Sequence, residues 1–159
     1  MSLITLQHAI PPAASILVDS SVLIAYFNRH EATSRMAAHI VHEFVRTGRN
    51  GTIVSMITAM EVLVHPLLRG PGQVYQDTLD FLSTFPHLQA VPVDLAVARE
   101  AAVLRGRFRF AAPDALIIAT GMVHEARHLL TNDAAWSTKL APIGSRIEVC
   151  HLASHLPFP

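Results

Sequence analysis

The chain of 159 residues carries 12 basic and 12 acidic side chains, so its formal charge is zero and sets no bulk electrostatic preference for or against a polyanion. With 51% hydrophobic and 15% charged residues it is neither a disordered nor a coiled-coil composition, and it suits one α/β domain with buried strands. A single cysteine, Cys150, excludes an intramolecular disulfide framework and a cysteine-based zinc knuckle, and no apolar run approaches the ~20 residues of a membrane-spanning helix.

The opening "MSLITLQHAIPPAAS" has no basic start and no uninterrupted apolar core, which argues against a signal peptide and for a reducing, cytoplasmic location. Pro11-Pro12 and the small residues after them set off residues 1–14 as a flexible tail from a single domain over 15–159. "SILVDSS" is an apolar run ending in an acid, the pattern of a buried parallel strand. Helices are expected over "SVLIAYFNR" and "TSRMAAHIVHEFVRTG", the second closed by Gly48, with His39 and His42 on its solvated face. "TIVSM" is a second strand. The helix "TAMEVLVHPLLR" follows, interrupted by Pro66, and then "QVYQDTLDFLSTF" with an apolar stripe of Val74, Leu79, Phe81, Leu82 and Phe85.

"LQAVPVD" is a third strand whose proline argues for a sheet edge. Beyond it, Asp94 caps a helix over "LAVAREAAVLRGRF", and Pro113 opens another over "PDALIIATGMVHEAR". "HLLTND" and "RIEVC" complete about five strands. Strands alternating with helical segments imply a parallel sheet covered on both faces, a three-layer α/β/α architecture.

Four acids hold comparable places in this pattern. Asp19 ends the first strand, Glu61 follows the second, Asp114 opens a helix, and Asp133 follows the fourth strand. In an open parallel sheet ligands bind beyond the carboxyl ends of the strands, so acids distant in the chain can converge there. Gathered carboxylates repel one another unless a cation is present, and hard oxygen donors suit Mg²⁺ or Mn²⁺. Each acid also has an ordinary explanation as a helix-start or turn residue, and Thr58-x-x-Glu61 has capping-box spacing.

"HEARH", residues 124 to 128, matches the H-E-x-x-H zinc-protease pattern. The extended form of that motif would want Gly at 131 and His at 134, where this chain has Thr131 and Ala134, and His128 falls where helix yields to strand. Rival α/β enzymes fail too. A dehalogenase-type phosphatase wants Asp where Ser21 stands, a receiver domain wants paired acids at the first strand, and no P-loop glycine pattern is present.

"ILVDSSVLIAYF", "SMITAMEVL", "AAPDALIIATGMV" and "LLTNDAAW" resemble the four blocks of the PIN domain, in the order and approximate spacing of the VapC-type toxin ribonucleases, from about Ile16 to Trp136. The resemblance implies a parallel sheet sandwiched by helices and a Mg²⁺- or Mn²⁺-dependent endoribonuclease that leaves 5′-phosphate and 3′-hydroxyl ends. It assigns Asp19, Glu61, Asp114 and Asp133 as the metal-binding acids, with Ser20, Thr131 and Asn132 as polar supporters. It further implies the toxin role of a type II toxin–antitoxin system, a VapB-like antitoxin and a homodimer. If the four acids hold metal, eight remain against 12 bases, of which all but Lys139 are Arg. Arg105, Arg107 and Arg109, just before Asp114, could then contact RNA phosphates. The alternative is a catalytically silent PIN-fold module that binds RNA or protein.

Overall fold

The computed structural model describes residues 2–70 and 72–157. Five short apolar runs form parallel strands: β1 (Ile16–Val18), β2 (Thr52–Ser55), β3 (Leu88–Val91), β4 (His128–Thr131) and β5 (Glu148–His151), in the order β3-β2-β1-β4-β5. The expected three-layer α/β/α sheet is present. Strands buried on both faces must be apolar at successive positions, and β1 satisfies this directly: Ile16 and Val18 belong to one hydrophobic core, Leu17 to the other. β3 lies at the edge, the position that Pro92 just after it argued for.

One layer holds α2 (Ser20–Phe27), α3 (Ser34–His39), α4 (Met56–Leu68) and α5 (Gln73–Thr84); the other holds α6 (Leu95–Phe108), α7 (Ala112–Val123) and α8 (Ala134–Leu140). α7 lies close on β1 because residue 121 is glycine. A Cβ there would come within 2.7 Å of Leu17 Cδ2 and 3.1 Å of Leu17 Cβ, side-chain atoms already fully buried. Among the described residues no helix is long and apolar enough to cross a membrane.

The structure corrects several expectations. Residues 2–9, expected within a flexible tail, form the helix α1 (Ser2–Ala9), and Leu6 and Ile10 are fully buried in the core. Apolar burial alone would not hold the following turn, which carries two prolines. It is tied down by Asn50 and Arg49: Asn50 Nδ2 donates to the carbonyls of Pro11 (2.9 Å) and Ala14 (2.8 Å), and Arg49 Nη2 donates to that of Ile10 (2.8 Å).

The helix expected through Gly48 is not uniform. After α3 the chain continues as a π-helical turn over Ile40–Val45, with Arg46 N–H reaching Val41 O at 3.0 Å. His39, which ends α3, and His42 within this turn are half-buried rather than on a solvated face. Their rings pack edge-on at 5.5 Å from Phe44 and 5.7 Å from Tyr26 respectively. Pro66 lies inside α4, which runs on to Leu68, so the expected interruption is absent and the helix only forgoes the hydrogen bond that residue 66 would donate. In α5, Leu82 is buried, but Val74 of the expected stripe is 68% exposed.

Asn50, itself fully buried, is the most consequential polar residue of the N-terminal packing, because its removal takes from the Ala14 carbonyl its side-chain donor and leaves that of Pro11 with only the 3.3 Å bond from Ala14 N–H. Asn50→Ala is expected to lower stability by about 1–3 kcal/mol in urea titration. Amide hydrogen exchange over residues 2–14 should accelerate more than over β1 and β4. Unchanged protection of that segment would show that apolar contacts alone seat it.

Candidate functional site

All five strands end at one edge of the sheet, and two of the four acids, Asp19 and Asp133, sit where a strand hands over to a helix there. The chain runs outward from β1 through β2 to β3, then returns to β4 on the other side of β1. Helical crossovers therefore diverge on either side of the β1/β4 junction and leave a crevice above it. Asp19 follows β1 and caps α2; Asp133 follows β4 and caps α8, accepting from Ala135 N–H at 2.8 Å. Asp114 lies in the first turn of α7.

Glu61 arrives differently. Ser55, not Thr58, caps α4, accepting from Ile57 N–H at 3.2 Å, so the Thr58–Glu61 spacing is no capping box. Glu61 instead lies in the second turn of α4, half-buried.

Asp19 is only 4% exposed, a location that a carboxylate tolerates only with hydrogen-bond donors around it. Three hydroxyls supply them. Ser20 Oγ donates to Oδ1 at 3.2 Å, while Ser21 Oγ (2.6 Å) and Thr131 Oγ1 (2.9 Å) both donate to Oδ2. Each of the latter two also serves as an acceptor: Ser21 Oγ from Asn132 N–H at 2.9 Å, and Thr131 Oγ1 from Asp133 N–H at 3.0 Å. Asn132 Nδ2 donates to Ser21 O at 3.1 Å, and His151 Nε2 lies 3.3 Å from Asn132 O. Strand ends β1 and β4 are thus joined by one polar network that orients Asp19.

The four acids meet electrostatically at Asp114. Burial, and after it the charges of Asp19, Asp133 and Glu61, push its carboxyl above the usual range, with the Lys139 ammonium opposing them. Among the described residues no three His, Cys, Asp or Glu side chains stand close enough to enclose an ion directly. That spacing still fits Mg²⁺, which keeps several waters and takes one or two carboxylates rather than an all-protein cage. The donor set is hard oxygen throughout. Asn132 Oδ1 is buried and without a hydrogen-bond partner among the described residues, while the same side chain's Nδ2 is held by Ser21 O.

Two participants are not apparent in the sequence. Ser21 is the hub of the Asp19 network, yet it is one of two adjacent serines and only its contact with Asn132 distinguishes it. The Lys139 charge on α8 acts on Asp114 at a distance, its ammonium standing 4.8 Å over the Phe110 ring; no spacing rule links it to an acid 25 positions earlier.

The zinc-protease pattern dissolves in the geometry. α7 ends at Val123 with His124 as its C-cap, and Glu125 adopts the left-handed conformation (φ 58°). Ala126 N–H bonds Gly121 O (2.8 Å) and Glu125 N–H bonds Met122 O (3.4 Å), the paired contacts of a Schellman helix stop. His128 is beyond that stop, buried in β4 with burial lowering its pKa. The two histidines share no helical face.

Arg105 and Arg107 occupy the exposed last turn of α6 and Arg109 its left-handed cap, with no contact to the acids. Asp94 caps α6 as expected, accepting from Val97 N–H at 2.9 Å. Cys150 is a buried strand residue whose thiol burial pushes up to about 12.

The PIN-domain family model matches residues 16–139, and the chain belongs to that family. No curated protein matches the sequence. Among solved structures it resembles a chain of a toxin–antitoxin complex from Klebsiella pneumoniae (TM-score 0.62, 24% identity, covering 87% of this chain and 98% of that one). It also resembles VapC20 of Mycobacterium tuberculosis, a sarcin–ricin-loop-cleaving toxin (0.64, 18%, 78% and 94%). A third neighbour is a chain of the FitAcB structure from Neisseria gonorrhoeae (0.65, 20%, 87% and 98%). At these identities the likeness is one of fold.

A carboxylate whose pKa is raised by folding contributes stability that is present below its unfolded pKa, about 3.9, and lost as pH rises through the folded value. Ionised Asp114 therefore costs the metal-free protein stability near neutral pH. In EDTA at pH 7, Asp114→Asn is expected to melt at or above the wild-type temperature, with the gap closing toward pH 4. Added Mn²⁺ should raise the wild-type melting temperature more than that of the variant. An equal rise in both would return Asp114 to a helix-start role.

Proposed function

We propose that the protein is a divalent-metal-dependent endoribonuclease and the toxin of a type II toxin–antitoxin pair. The observation that carries this reading is the convergence of Asp19, Glu61 and Asp133 on Asp114 at the carboxyl edge of a parallel sheet. A helix-start role accounts singly for Asp19, Asp114 and Asp133, and leaves out Glu61 in the second turn of α4. It does not account for four like charges brought together with one lysine as the opposing charge, an arrangement that favours a cation.

Asp19, Glu61 and Asp114 would hold Mg²⁺ or Mn²⁺ directly or through water, with Asp133 completing a second site. A bound ion there supplies charge that activates water and screens the scissile phosphate during in-line displacement. The chain's own contribution is orientation. Ser20, Ser21 and Thr131 hold the Asp19 carboxylate in one pose, and Asn132 braces Ser21 through its backbone N–H and Nδ2. Arg105, Arg107 and Arg109 would contact phosphates flanking the cut.

Toxin–antitoxin complexes among the structural neighbours support a VapB-like antitoxin as partner. An apolar stripe on α4 supports a homodimer: Met56, Met60, Val64 and Leu67 recur at helical spacing and are each 41–53% exposed. The stripe carries no charge, so a second copy related by a twofold axis meets it without repulsion.

Asp19→Asn and Asp114→Asn should each lower Mg²⁺- or Mn²⁺-dependent RNA cleavage more than about 100-fold with the fold intact. Thr131→Val, which removes one donor to Asp19 and the acceptor of Asp133 N–H while leaving all four acids, should cost about 10–100-fold. Near-wild-type cleavage by both acid variants would sink the assignment. Met60→Glu should convert a dimer to monomer in light scattering; an unchanged mass would place the interface elsewhere.

A further inference from the structure

At the end of α2 remote from Asp19, a groove of about 520 Å³ opens against α3, lined by Tyr26, Phe27, Arg29, Ser34, Arg35 and His42. Its charged lining is cationic. Arg29 and Arg35 are exposed, and neither takes part in an ion pair among the described residues, where the pairs are His128–Glu148 and Arg146–Glu100. Arg46 adds a third positive charge that acts on Tyr26. The acid on the connecting loop, Glu31, is engaged by Asn28 Nδ2 at 3.3 Å. The aromatic wall is braced rather than loose: Phe27 meets Tyr26 at 5.0 Å and Phe81 at 5.2 Å edge-on, yet it remains 42% exposed.

Unpaired guanidinium groups beside partly exposed rings in a concavity are matched by a ligand that presents phosphates and flat bases together. Position favours the same ligand. α2 has eight residues, about 12 Å of helix, so the groove lies one short helix away from the Asp19 carboxylate. The acid crevice repels phosphate in the absence of metal, and the chain has no net positive charge. Ground-state affinity for a polyanion must therefore come from local cationic surfaces outside the crevice.

We propose that this groove is a subsite for single-stranded RNA. Arg29 and Arg35 take two backbone phosphates, and a base stacks on Phe27 and Tyr26, while the scissile phosphate lies at the acids. The proposal rests on the nuclease reading of the acid crevice for its register, but its contacts are separate from those acids.

The test uses the full chain carrying Asp114→Asn, in EDTA, and a short labelled single-stranded RNA followed by fluorescence anisotropy over a salt titration. Adding Arg29→Gln and Arg35→Gln should reduce the slope of log affinity against log salt by about 1.4, two contacts at ~0.7 each. Adding Phe27→Ala should weaken binding about fivefold to a hundredfold. In the otherwise wild-type chain with Mn²⁺, the double arginine variant should raise KM for that RNA and leave kcat unchanged.

Melting temperatures establish that each variant is folded. Affinity and salt slope unchanged in the arginine variant would overturn the proposal and leave the groove to a protein partner. Absence of any RNA binding by the Asp114→Asn chain would overturn it as well. Arginine-dependent binding by a chain whose wild-type form cuts no RNA would uphold the groove and remove the nuclease reading.

Discussion

The hydrogen bond from Thr131 to the buried Asp19 carboxylate, 2.9 Å across the β1/β4 junction, is the contact on which the site depends. A carboxylate this enclosed would be costly without donors, and it has three hydroxyls. The Thr131 hydroxyl is in place only if β1 and β4 are adjacent and in register, Val18 opposite Leu130, with Asp19 N–H bonded to Leu130 O at 3.0 Å. Sheet pairing and site assembly are therefore one event. A slip of β4 by one residue would turn Thr131 to the other face of the sheet and leave Asp19 without one of its donors.

The acids do two kinds of work at once. Asp19 and Asp133 are helix caps, and Asp114 sits in a first turn, so each is stabilised by the local amide dipoles of the helix it opens. Parallel topology sets the starts of α2 and α8 above the ends of β1 and β4, and the turn from α6 to α7 adds Asp114 to the same group of charges. Local capping thus offsets a collective repulsion, whose clearest sign is the raised proton affinity of Asp114. Lys139 relieves part of it from α8. A dication would relieve the rest, which is why the geometry suits a metal although the acids do not enclose one unaided.

Surface chemistry is distributed unevenly around this centre. The α4 stripe is apolar and uncharged, the α2/α3 groove is cationic and aromatic, and the crevice is acidic. Three chemically distinct faces on a chain of zero formal charge show how little the total says about any one of them.

Much of this was legible before folding. Apolar runs ending in acids placed the strands, the proline after β3 put it at an edge, and the four PIN-like blocks singled out Asp19, Glu61, Asp114 and Asp133 from the other acids. Such features are local or carried by a family pattern, so the chain order alone contains them.

What the order could not decide depended on contacts between distant residues. The N-terminal segment lacks strong helical periodicity and precedes two prolines, yet Asn50 and Arg49, some 40 residues away, hold it against the core. H-E-x-x-H spacing is satisfied by a helix that stops before its second histidine, because Ala126 and Glu125 close a Schellman turn there. Ser21 and Lys139 acquire their places only from partners on other elements. Sequence by itself determined which residues could carry charge and where strands and most helices begin; tertiary structure decided which of those charges meet, because distances between chain-remote groups are set by strand pairing and not by spacing along the chain.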